Sequence, residues 1–121
     1  MKILEIDVDF DFADADDMKR FEETYPITMG ELTKIQERNQ NEKEKMANSE
    51  QIREFCNVIS NFFDKVFGEG VSNRVFKGKA NYMECLRAFK SVVAEKEKQD
   101  AEMDEIAAYV EKYSPDRVKR S

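Results

Sequence analysis

The sequence predicts a mainly α domain: four to five helices with one N-terminal β-strand and a long C-terminal helix. Three observations predict it. The 121 residues include only 4 Gly and 2 Pro, too few for the many turns of an all-β domain. After residue 14, apolar residues recur mostly at three- and four-residue steps, the spacing of a helix face. One stretch, residues 3–12, alternates instead with period two.

That stretch places Leu4, Ile6, Val8, Phe10 and Phe12 on one face and Glu5, Asp7, Asp9 and Asp11 on the other, as in a half-buried strand. Asp14 is placed as an N-cap, with Asp16 and Asp17 in the first turn to meet the positive helix end. Ala15, Met18, Phe21 and Tyr25 then line a helix over about 14–25. Pro26 ends it, because the residue before a proline avoids the helical region.

Met29, Leu32 and Ile35 open a second helix, 29–46, whose later residues are almost wholly polar. The third, 50–67, has the strongest stripe: Ile52, Phe55, Cys56, Ile59, Phe62, Phe63, Val66 and Phe67. Gly68 closes it. A short helix over 70–76 follows. Asn81 and Glu84 form a capping-box variant that opens a long helix, 81–112. Its first half carries Met83, Leu86, Phe89, Val92 and Val93. A charged stretch, 95–102, intervenes. Apolar residues return at Met103, Ile106, Ala107, Val110 and Tyr113 nearly in phase, so the second half presents its own stripe beyond the core. Residues 1–113 read as one domain, and 114–121 as a basic mobile tail. The expected core is Phe21, Ile52, Phe55, Ile59, Phe62, Phe63, Val66, Phe76, Leu86, Phe89 and Val93.

The composition points away from an enzyme. There is no His, which removes the commonest general base and the usual triads. No phosphate loop, nucleophile elbow or Cys-x-x-Cys occurs. Cys56 and Cys85 sit among apolar residues and read as small buried hydrophobes. Asp7-x-Asp9-x-Asp11 invites a metal, but a calcium loop counted from Asp7 would need Gly and Glu where Phe12 and Met18 stand. It reads as a solvated strand face, with no metal and no cofactor. No apolar run approaches the ~18–20 residues of a membrane span, and the N-terminus is not that of a signal peptide.

Of the net charge of −6, all lies within residues 1–17, which hold seven acids and one Lys. An acidic segment repels nucleic acid, and the tail's Arg117, Lys119 and Arg120 lack interleaved aromatics, so no nucleic-acid partner is expected. The lone strand poses a different problem. Its unpaired edge needs a partner, which a cryptic strand, another protein's sheet edge or a second copy would supply. A homo-oligomer is therefore expected, with Leu4, Ile6, Val8, Phe10 and Phe12 as the self-association strand.

The run Asn61-Phe62-Phe63-Asp64-Lys65-Val66-Phe67-Gly68-Glu69-Gly70-Val71-Ser72 continues into Val75-Phe76-Lys77-Gly78-Lys79, then Asn81 and Glu84-Cys85-Leu86-Arg87-Ala88-Phe89. This order resembles the small tail assembly chaperones of tailed phages and prophages of Gram-positive bacteria. The opening residues 9–17 and the ending Lys112-Tyr113-Ser114-Pro115-Asp116-Arg117 are similar to that family's ends, with Asp116 where the family carries Asn. The resemblance implies a non-enzymatic protein of the host bacterial cytoplasm, absent from the mature virion. It implies binding of the tape measure protein, a long, helical, partly apolar chain, and help in gathering tail tube protein around it. Met103, Ile106 and Val110 are the candidate client-binding arm. A phage-encoded helical adaptor or regulator acting on a host protein is the alternative.

Overall fold

A computed structural model describes residues 1–114. The protein is mainly α. A small hairpin, β1 (Lys2–Ile3) and β2 (Ile6–Asp7), precedes four helices: α1 (Ala15–Gln40), α2 (Asn48–Phe67), α3 (Val71–Phe76) and α4 (Tyr82–Tyr113).

The single strand expected over 3–12 is corrected to this hairpin. Lys2 pairs antiparallel with Asp7, and Ile3 with Ile6. The Met1 carbonyl accepts from the Val8 amide at 2.8 Å, and the Met1 ammonium donates to the Val8 carbonyl at 3.2 Å. Leu4 (φ 51°) and Glu5 (φ 150°) form the turn, an unfavourable backbone region for both residues. The burial of Ile3 and the paired ends around it hold that strain in place. Residues 8–12 keep the expected alternation without a ladder: Val8, Phe10 and Phe12 are buried, while Asp9 and Asp11 are exposed. For Ile6 and Asp7, the pairing that the sequence reading sought outside is thus supplied within the chain.

Helix α1 runs through Pro26, so the two helices expected over 14–25 and 29–46 are one. Pro26 and Glu22 are both exposed, which leaves the carbonyl without its usual donor open to water. On the opposite face Phe21 and Thr28 are buried and Tyr25 and Leu32 pack on the core, holding the helix together across the proline. The helix then ends at Gln40, earlier than expected. Beyond Ile35 it has little to bury, and Asn41 turns the chain by accepting from the Lys43 amide at 3.0 Å.

The caps read from the sequence hold. Asp14 accepts from the Asp17 amide and Asn81 from the Glu84 amide, each at 3.0 Å. Gly68, at φ 124°, closes α2. Asp64 of α2 then reaches across the turn to the start of α3, accepting from the Ser72 amide and hydroxyl at 2.9 Å each.

The core is aromatic. Phe62 lies near Phe21, Tyr25, Phe63, Phe67 and Phe89, with ring centroids 5.1–6.4 Å apart. Phe10 stands edge-on to Phe12 and Phe67 at 4.8 Å. Such edge-to-face pairs add about 0.5–1.5 kcal/mol each to the burial term. Of the expected core, Phe21, Ile59, Phe62, Phe63, Val66, Phe76 and Phe89 are buried, and Phe55, Leu86 and Val93 are half-buried. Ile52 is corrected: it is 37% exposed, on the rim of a groove rather than in the core. Ile3, Val8, Phe10 and Phe12 fill the core from the N-terminal side instead.

Candidate functional site

The outstanding surface is the distal half of α4. This helix is 32 residues long, about 48 Å at 1.5 Å per residue. Its seam follows three–four spacing, the heptad repeat of coiled coils, and is apolar except at its middle. Tyr82, Phe89, Lys96, Met103 and Val110 occupy the a positions, and Cys85, Val92, Gln99, Ile106 and Tyr113 the d positions.

In the first half this seam belongs to the core: Cys85, Phe89 and Val92 are buried. In the second half it stands in solvent. Met103 is 61% exposed, Ile106 63%, Val110 60% and Tyr113 58%. Tyr109 beside them, at 65%, has its ring 4.7 Å from that of Tyr113. All residues from 100 to 113 are exposed, so this half of α4 is an arm that leaves the body.

The junction is polar and self-supporting. Gln99 donates to the Glu95 carboxylate at 3.2 Å, and Lys96 pairs with Asp100. These pairs, one turn apart, stabilise the helix where it leaves the core. The arm is therefore a helix with a prebuilt seam and nothing of the described chain packed on it.

Met103, Ile106 and Val110 thus come together on one exposed face. Leu4, Ile6, Val8, Phe10 and Phe12 do not form a free surface. Leu4 and Ile6 pack against the core and the other three lie within it. Tyr109 was not singled out by the sequence reading. The heptad, counted from Tyr82, is the signal that reaches it, since it places Tyr109 at the g position flanking Ile106 and Val110.

A second feature is a groove of about 770 Å³ between the end of α1 and the start of α2, closed by Tyr82. Leu32, Ile35, Ile52 and Phe55 line it together with carboxamides, and the Phe55 and Tyr82 rings approach to 4.4 Å. None of its lining residues is charged.

Burial, and then contact with Cys56, pushes the Cys85 thiol up to about 12, which keeps it neutral and a poor nucleophile near pH 7. Arg38 clasps Glu54 across α1 and α2; this hydrogen-bonded pairing holds the Glu54 carboxyl below the usual range against a smaller effect of burial. Asp7, Asp9 and Asp11 point outward, and among the described residues no three acids or cysteines gather as a metal site. No helix among the described residues is long and apolar enough to cross a membrane. Arg117, Lys119 and Arg120 of the expected basic tail lie outside the described residues.

The profile of a family of unknown function, DUF6673, matches residues 4–121. No curated protein and no solved structure matches the chain.

Proposed function

The chain belongs to that family of unknown function, and we propose that it is a non-enzymatic chaperone that holds a helical client on the α4 arm. The client proposed is the tape measure protein of a tailed phage. The observation that carries the reading is the exposed heptad seam of Met103, Ile106, Val110 and Tyr113 on a helix anchored at its other end in the core. A helix with such a seam takes a second amphipathic helix by knobs-into-holes packing. The tape measure protein, long and helical, offers that surface many times over.

The resemblance of residues 61–89 to tail assembly chaperones supplies the client's identity. The acidic surface suits a protein that must stay soluble while its client exposes apolar faces. Contact with tail tube protein would follow from its assembly on the client, in the host bacterial cytoplasm and not in the finished virion.

Co-expression with a phage tape measure protein is the test. The intact chain keeps the client soluble and copurifies with it. Replacing Met103, Ile106 and Val110 with Ser abolishes copurification while the body stays folded. Undiminished copurification of that variant overturns the role of the arm.

A further inference from the structure

The charges beside the seam specify its occupant. From Glu95 to Tyr113 the positions that border a heptad seam hold Glu95, Asp100, Glu102, Ala107 and Tyr109, with no base among them. The outer face is mixed but still net acidic, with Glu97, Asp104, Glu105 and Glu111 against Lys98 and Lys112. In a parallel pair of arms, Glu95 of one copy would meet Asp100 of the other on both sides, and the two Lys96 residues would meet at the same a layer. An antiparallel pair sets like edges against each other, again acid against acid. Like charges so placed oppose association. A second copy is therefore a poor occupant in either direction.

We infer that the arm selects a partner helix whose apolar heptad seam is bordered by Lys or Arg. Such a helix covers Met103, Ile106, Val110 and Tyr113 with its own a and d side chains. Its flanking bases meet Asp100 and Glu102, which are exposed and positioned by the turns on either side. Lys96, already paired with Asp100, caps the seam where it enters the core and limits the occupant to the distal part of the arm. The inference rests on the arm being the binding surface and adds the chemistry of the helix it takes: basic-flanked, and not a copy of this chain.

The test uses the full chain and two labelled synthetic helices, both with Leu at a and d, one with Lys and the other with Glu at e and g. Like charges at the borders keep each peptide monomeric. By fluorescence anisotropy at low salt the Lys-bordered helix binds at least about tenfold more tightly than the Glu-bordered one, and the ratio shrinks as salt rises. Asp100→Lys with Glu102→Lys narrows or reverses the preference, with helix content checked by circular dichroism. Equal binding of both peptides that is lost on Ser substitution at 103, 106 and 110 overturns the charge rule and leaves the arm as a binding surface. Binding of neither peptide, or binding indifferent to the Ser substitutions, overturns both. Sedimentation showing a dimer of the chain that those substitutions dissolve also overturns the inference, because the occupant is then a second copy.

Discussion

Val92 and Ile106 lie two heptads apart on one seam of α4, yet Val92 is fully enclosed and Ile106 is 63% exposed. A single amphipathic pattern thus serves two environments. The first half of the helix is fixed by the aromatic core. The second half extends the same face into solvent, where it is ready for another helix.

Stability should divide along that line. Phe63→Ala removes a ring with no solvent exposure and should cost about 3–5 kcal/mol in urea denaturation. Tyr109→Ala removes one that is mostly exposed and should change stability by less than about 0.5 kcal/mol. Comparable losses for the two would mean that the arm packs on the body.

Asp64 ties α2 to α3 through the Ser72 amide and hydroxyl. Asp64→Ala leaves a buried Ser72 and the start of α3 without these acceptors, and should cost about 1–2 kcal/mol. Asp64→Asn keeps one oxygen acceptor and should lose less. Denaturant titration of both variants checks the order; equal stability of Asp64→Ala and the parent would remove the capping role.

The Arg38–Glu54 pair gives a pH dependence of known sign. The folded state holds the Glu54 carboxyl below its ordinary value of 4.5, chiefly through the hydrogen bond from Arg38. Its stabilisation is therefore present above that value and is lost as the pH falls through the lower folded value. The difference in Tm between the parent and Glu54→Gln should shrink as the pH is lowered below about 4.5. A difference constant from neutral to acid pH would show that the charge of Glu54 contributes nothing.

Much of this architecture was legible in the sequence, and the exceptions have specific causes. The stripe Phe55–Phe67 and the caps Asp14, Asn81 and Gly68 set most helix ends, because local side-chain chemistry decides them. The hairpin was hidden because Leu4 and Glu5 are not turn residues; tertiary burial of Ile3 forces a backbone that their chemistry disfavours. Pro26 misled for a similar reason, since packing of its neighbours outweighs the missing hydrogen bond. Ile52 shares the α2 pattern but lies where α1 and α4 leave a groove, which spacing alone does not show. Of the candidate sites, the arm was visible as an apolar stripe beyond a charged break. The strand face reads as a self-association surface in the sequence because its intrachain partner, Lys2–Ile3, is too short to carry a pattern.

The central claim is that a partner helix docks on the distal seam of α4. Hydrogen exchange of the full chain, read by mass spectrometry with and without a soluble fragment of the tape measure protein, tests it most directly. Free, the amides from 100 to 113 should exchange far faster than those of α2, since every residue of that helical segment is exposed. With the fragment bound, protection should rise across 100–113 and change little elsewhere. Protection that rises instead along the groove formed by α1 and α2, with the arm unchanged, would contradict the account.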